Sequence, residues 1–321
     1  MTAKVYVIIP CYKVVRHIAD VVKGVGSEVS KIVVVDDCCP EGSGDFVLGQ
    51  VDDPRVVVVK HDVNKGVGGA VVTGYRFALK DGADICVKLD GDGQMNPALI
   101  SSIIRPIIEG RADYVKGNRF CSIYDVSTMP KLRLFGNTML SFMTKISSGY
   151  WSVFDPTNGF TAIHKCALGR LVLGQIDEGY FFETSMLIAL GGLRARVMDM
   201  PMKAVYGDEE SGLKVGDVLG GFAIKQFKAI IKRLVYQYYL RDFSLASIHF
   251  PLGLLLLLFG FFVGVSAWAE SLSTGVVATS GTVILSALPV LLGVQFILSF
   301  FSYDIESEPS ISLQSFDSGE F

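Results

Sequence analysis

The chain has 321 residues, half of them hydrophobic, and a formal net charge of only -3, with a mean hydropathy of +0.44. That is long enough for a full catalytic core and too apolar for an ordinary soluble enzyme, so the composition asks for a soluble domain joined to membrane segments. No run of Lys and Arg interleaved with aromatics is present, which argues against nucleic acid as a partner. The six cysteines (Cys11, Cys38, Cys39, Cys86, Cys121, Cys166) include no C-x-x-C pair and no N-terminal signal sequence is recognisable, so they read as reduced, cytoplasmic thiols.

In chain order, β-rich runs at Val5 to Ile9, Lys31 to Val35, Val56 to Val59 and Ile85 to Leu89 alternate with helix-like stretches after Arg16, Gly66 and Pro97. This predicts an α/β domain with a mainly parallel sheet covered by helices. Ligands of such sheets bind at the carboxyl ends of the strands, and the informative polar residues fall there. Pro10 and Tyr12 follow the first strand, Asp36 and Asp37 the second, Asn64 and Gly66 the third, and Asp90 and Asp92 the fourth. The stretch "VKLDGDGQMNP" sets two carboxylates on either side of a glycine, with Gln94 close behind. Hard oxygen ligands in this pattern suit Mg²⁺ or Mn²⁺ shared with a bound diphosphate, so Asp90, Asp92 and Gln94 are the candidate metal ligands. A lone D-x-D is more often a pair of solvated turn acids; its place after an apolar strand favours the metal reading. "GVGGAVVTG" resembles a dinucleotide loop but follows the third strand rather than the first, and reads as a helix start packed near the donor.

Further along, "FDPTNGF" carries turn chemistry, with positive φ expected at Asn158-Gly159. "YFFETSML" then puts Glu183 at a helix start, where it serves either as a general base or only as a helix N-terminal charge. Residues 216–244 form an amphipathic juxtamembrane helix: Phe227, Ile230, Ile231, Leu234 and Tyr238 recur at helical spacing while Lys225, Lys228 and Lys232 mark another face. A helix packed on the domain with a solvated basic face is the bland alternative. Two stretches without Asp, Glu, Lys or Arg follow, Ile248 to Trp268 and Gly275 to Phe301. Each is long enough to span a hydrocarbon core of roughly 30 Å. Every Lys and Arg lies at or before Arg241, which predicts a cytoplasmic domain and a cytoplasmic acidic tail. The expected organisation is therefore a catalytic domain over 1–215, the interfacial helix over 216–244, two transmembrane helices over 245–303 and the tail over 304–321.

Six blocks in order, "VYVIIPCY", "KIVVVDDCCP", "NKGVGGAVVTGYRFAL", "VKLDGDGQMNP", "YVKGNRF" and "FDPTNGF", resemble inverting family 2 glycosyltransferases of the GT-A type. With the C-terminal spans, the chain is similar to membrane-anchored polyprenyl-phosphate glycosyltransferases of the dolichyl-phosphate mannose synthase kind. The resemblance implies a Rossmann-like GT-A domain that uses Mg²⁺ or Mn²⁺ and a UDP- or GDP-linked sugar donor. It places Asp37 at the base, Asp90 at the ribose or metal, and Asp92 with Gln94 at the metal on the donor diphosphate. Pro10, Tyr12, Asn64 and Gly66 line the donor by their place at strand ends, and Asp155 lies near the sugar. Arg119 and Arg133 match positions that hold the acceptor phosphate, a task suited to guanidinium, with Lys214 a weaker basic candidate. The expected acceptor is dolichyl or undecaprenyl phosphate at the bilayer. A saccharide acceptor with Glu183 as base is the alternative, and a non-catalytic nucleotide-sugar sensor the non-enzymatic one. The sugar and the oligomeric state, a homo-oligomer included, stay open.

Overall fold

The computed structural model describes residues 3–120, 131–203 and 215–317. Among them is a seven-stranded sheet of β1 (Val5–Cys11), β2 (Lys31–Asp36), β3 (Val56–Lys60), β4 (Ile85–Lys88), β5 (Tyr114–Asn118), β6 (Thr161–His164) and β7 (Val197–Pro201). The strand order is β3-β2-β1-β4-β6-β5-β7. All pairings are parallel except those of β6, which runs against both β4 and β5. The chain winds outward from β1 to β3 and then returns to the far side of β1, so the order reverses between β1 and β4. A crevice opens beyond the strand ends at such a reversal, and the D-G-D stretch begins there.

Alternation along the strands divides the core in two. Tyr6, Ile8, Val33, Val35 and Cys86 face one cluster, with residues of α3 (Gly66–Lys80) and α7 (Phe182–Leu193). Val5, Val7, Ile9, Ile32, Val34 and Val87 face the other, with α1 (Val15–Lys23) and α4 (Ile100–Ile108). The intervening helices are α2 (Ser43–Gln50), α5 (Lys131–Ser148) and α6 (Lys165–Arg170). The period of two thus dictates which face each strand residue serves. It also puts Lys88 and Lys116, which share parity with Cys86 and Tyr114, on the α3/α7 face. In register, both lysines flank Thr161 of β6.

The compact unit built on this sheet comprises residues 1–230 and 309–321, and a second unit comprises 231–308. It therefore reaches past the expected boundary at 215 and takes in most of α8 (Val215–Val235). Gln226 is buried and donates to Thr144 Oγ1 at 2.9 Å, Phe222 packs edge-on against Phe181, and Lys225 pairs with Asp177. Ile224 and Phe227 stay exposed. This helix thus leaves apolar side chains exposed beside its basic ones while Phe222 and Gln226 pack inward.

The tail is not a free acidic extension. In the first unit the buried carboxylate of Asp113 accepts hydrogen bonds from the main-chain N–H groups of Arg196, Leu313 and Gln314 at 2.8, 2.7 and 3.2 Å. The Gln314 side chain donates to the carbonyls of Ile107 and Ala112, Ser312 Oγ donates to Gly110 O, and Leu313 is buried in the sheet core. The short helix α11 (Leu313–Asp317) is anchored this way.

In the second unit α9 (Leu245–Thr274) and α10 (Ser280–Glu306) are each long and apolar enough to cross a membrane. They outrun the stretches seen in the sequence, and their connection falls at 275–279 instead of Ala269 to Thr274. Large apolar side chains such as Leu255, Phe261, Phe262 and Leu291 are exposed along them. Small residues bring the two backbones together: a Cβ on Gly260 would lie 2.6 Å from Ser286 O, and Ser286 Oγ donates to Gly260 O at 3.1 Å. Arg233 and the Tyr238 hydroxyl both engage Asp304.

Deleting residues 309–321 removes the Leu313 burial and these hydrogen bonds, a loss of roughly 2–4 kcal/mol. Thermal unfolding of the detergent-solubilised protein should show a lowered midpoint for the truncated chain and for Asp113→Ala. An unshifted midpoint in both would show that the tail is not part of the domain.

Candidate active site

One group of the candidate residues lies at the ends of β2 and β3. Asp37, buried just after β2, accepts from the Lys65 N–H at 2.8 Å and meets His61 Nδ1 at 2.7 Å. His61 Nε2 lies 2.9 Å from Thr73 Oγ1, which donates to Gly69 O. One oxygen of Asp37 is thus fixed by the start of α3. Its neighbour Asp36 has a different task, accepting from Cys39 N and Gly44 N, both at 2.7 Å, to shape the turn before α2. Pro10 is half-buried in β1 and Tyr12 exposed just beyond it. Asn64 Oδ1 accepts from Gly66 N at 3.0 Å and closes the turn into α3.

The glycines of "GVGGAVVTG" have a local cause. A Cβ on Gly66, whose φ is +79°, would lie 2.6 Å from Glu178 O, one on Gly68 would collide with Asp177 O, and Gly69 N donates to Glu178 O at 3.1 Å. The run lets the segment before α7 seat directly on the α3 N-terminus.

At the switch between β1 and β4 stand the paired acids. Asp92 Oδ1 accepts from the main-chain N–H of Gln94 at 3.0 Å across Gly93, whose φ is +77°. Asp90 is held by Lys88, the last residue of β4 and only 1 % exposed. Lys88 Nζ lies 2.7 Å from Asp90 Oδ1, 3.1 Å from Glu183 Oε1 in the first turn of α7, and 3.3 Å from Gly159 O. A Cβ on Gly159 would come within 3.0 Å of both Lys88 Nζ and Asp90 Oδ2. Neither Asn158 nor Gly159 has positive φ, contrary to the turn expectation: the glycine is there because the ion pair lies against it. Burial works to lower the Lys88 pKa, but the charges of Asp90 and Glu183 outweigh it and raise it above the ordinary lysine value.

Beyond β5, Arg119 forks onto the fully buried Asp155, with Nε–Oδ2 at 2.7 Å and Nη2–Oδ1 at 3.0 Å. The pair closes the loop 155–158 over β5, where Lys116 Nζ donates to Asn158 O. Burial, aided by the positive charge of Lys88 and opposed by Glu183, Asp155 and Asp199, lowers the Lys116 pKa to about 8. Arg133 lies in α5, but its side chain, like all of Lys214, falls outside the described residues.

The structure thus brings Asp90, Glu183, Asp155 and Arg119 around one end of the sheet and seats Asp37, Asn64 and Gly66 around the start of α3. Lys88, Lys116 and His61 escaped the sequence reading. A lysine inside an otherwise apolar central strand is the signal for the first two, because such a charge must find buried counter-charge. The donor set fits a hard divalent cation: the carboxylates of Asp90 and Asp92 are half-buried rather than sealed, and Gln94 adjoins them. Among the described residues no three His, Cys, Asp or Glu side chains are grouped to hold a metal alone. Two carboxylates with substrate phosphates are what Mg²⁺ commonly takes.

The fold and the acid-lined switch point define a glycosyltransferase with a Rossmann-like GT-A domain. The model of Glycosyl transferase family 2 matches residues 6–172, and the chain belongs to that family. Similar to it are the UDP-N-acetylglucosamine--dolichyl-phosphate N-acetylglucosaminyltransferase of Methanococcus voltae, 32% identical over 68% of this chain and 92% of that one, and the undecaprenyl-phosphate mannosyltransferase of Micrococcus luteus, 27% identical over 68% and 90%. The glucosyl-3-phosphoglycerate synthase of Mycobacterium tuberculosis, solved with Mg²⁺ and UDP, shares the fold with a TM-score of 0.55 at 16% identity, over 72% of this chain and 79% of that one.

Lys116 releases its proton near pH 8 when folded and near 10.5 when unfolded. Between these values the unfolded chain binds more protons, so this lysine makes stability rise with pH. The stability of wild type relative to Lys116→Met should move in favour of wild type from pH 8 to 10.5; a pH-independent difference would show that Lys116 titrates normally.

Proposed function

We propose that the protein transfers a sugar, with inversion, from a nucleoside-diphosphate sugar to a polyprenyl phosphate at the cytoplasmic membrane face. The observation that carries this reading is the engagement of Glu183 by Lys88 at 3.1 Å. A sugar hydroxyl must lose a proton as it attacks and needs a general base. A carboxylate engaged by a buried ammonium is already committed as its counter-charge, whereas a lipid phosphate is already ionised and needs only positioning. The family and the relatives named for dolichyl and undecaprenyl phosphate support the same acceptor. Two helices able to span a bilayer, and Lys and Arg confined to the chain before them, support the membrane location and its side.

In this reading Asp37 takes the base, and Pro10, Tyr12, Asn64 and Gly66 border the nucleotide. Asp90, Asp92 and Gln94 would hold Mg²⁺ or Mn²⁺, which supplies charge neutralisation for the departing nucleoside diphosphate. Asp155, fully buried beneath the Arg119 fork, lies near the sugar and acts by holding Arg119. Arg119 and Arg133 draw the acceptor phosphate in, and the attacking oxygen approaches the anomeric carbon opposite the leaving group. No protein group need carry the sugar. UDP and GDP both remain compatible with Asp37.

Membranes containing the protein, supplied with radiolabelled nucleotide sugars, should pass label into an organic-extractable lipid that mild acid releases. Label found only in water-soluble or polymeric saccharide would refute the acceptor. Asp92→Asn, or EDTA, should cut transfer by orders of magnitude while the protein still elutes as folded; full turnover in EDTA would remove the metal from the account. Because Arg119 also forks onto the buried Asp155, its test is made in the Asp155→Asn background: adding Arg119→Ala there should lower kcat/KM by about ten- to a hundredfold, the worth of one charge-assisted contact of roughly 1.5–3 kcal/mol, and no further loss would clear Arg119 of the role.

A further inference from the structure

Lys88 is an almost fully buried charge at the site, and nothing in the transfer chemistry calls for it. It has no water to face, and its partners come from separate parts of the chain: Asp90 just beyond its own strand, Gly159 O from the loop before β6, and Glu183 from the first turn of α7. Side-chain exposures of 1% for Lys88, 12% for Glu183 and 26% for Asp90 describe a graded slot, closed at the ammonium and open at the acid that faces the crevice. Gly159 shows that the slot is shaped for this pair, since any side chain there would strike both members.

We propose that Lys88 is a positioning residue of the donor site, bridging Asp90 to Glu183, and that Glu183 serves as counter-charge of this bridge and not as general base. The inference rests on the assignment of Asp90 to donor binding. The trio carries one net negative charge. Without Lys88, two carboxylates would share a low-dielectric slot, repel one another and swing Asp90 out of place. A residue that merely filled space would not care about the charge of Glu183.

This separates into a charge-compensation cycle on the full chain in detergent, read by calorimetric binding of UDP and of GDP with Mn²⁺ and, separately, by transfer to polyprenyl phosphate. Lys88→Met should weaken binding of the preferred nucleotide at least tenfold. Adding Glu183→Gln returns the trio to one negative charge and should recover most of that loss, giving strong non-additivity. Glu183→Gln alone should lower transfer by less than about tenfold, against the 10² to 10⁴ typical of a lost base. If Lys88→Met does not fold, Gly159→Ala supplies the perturbation with Lys88 retained and should weaken nucleotide binding likewise. Wild-type binding by folded Lys88→Met or Gly159→Ala, or a double variant no better than Lys88→Met, would overturn the proposal. Recovery of nucleotide binding with no transfer to polyprenyl phosphate by any form would leave Lys88 in its role and reject the acceptor instead.

Discussion

An ammonium group without access to water must be met by oxygen, and the organisation of this site follows from how Lys88 meets that requirement. Its strand can supply Asp90 but nothing more, so the remaining contacts are drawn from the Gly159 loop and from the start of α7. Removing one member of such a pair strands a buried charge, commonly at a cost of about 3–5 kcal/mol. The bridge therefore locks three distant segments in one arrangement. A second layer repeats the device with different groups: Asp155 is buried beneath the Arg119 fork, and Lys116 holds the Asn158 carbonyl.

Charge fixed in this way suits one kind of chemistry. On the proposed reading the phosphate acceptor arrives ionised, so what is needed is to place two reactants and neutralise the leaving group, and preorganised charge is the efficient means. A site that must remove a proton needs a carboxylate free to accept it. Glu183 meets Lys88 at the start of α7, and the glycine-rich start of α3 is seated against Asp177 and Glu178, a few residues before that same helix.

The first four strands, the helices between them and the acid-bearing strand ends were legible in the sequence because local periodicity and apolar runs determine them, whereas β5, β6 and β7 were not singled out. The two apolar helices were legible for the same reason, apart from their ends. Long-range contacts were not. Glu183 read as a base or a helix-terminal charge because its partner lies 95 positions away in sequence. Gly159 read as a turn former because Asn-Gly usually is one, whereas its cause is the ion pair across the slot. The glycines after Lys65 read as donor-facing, but the close approach they permit is to another stretch of main chain. The tail read only as acidic, and the buried Asp113 carboxylate together with the carbonyls of Ile107, Gly110 and Ala112 reveals where residues 312–314 are bound. In each case the sequence shows an unusual residue, and the fold supplies the neighbour that explains it.

The account turns on what Glu183 does when donor is in place, which a structure of the protein with Mn²⁺ and its nucleoside diphosphate would reveal. It predicts that Lys88 Nζ stays within hydrogen-bond reach of both Asp90 and Glu183 while Asp90 faces the ligand. A structure in which Glu183 has left Lys88 and points toward the position of the anomeric carbon would contradict it.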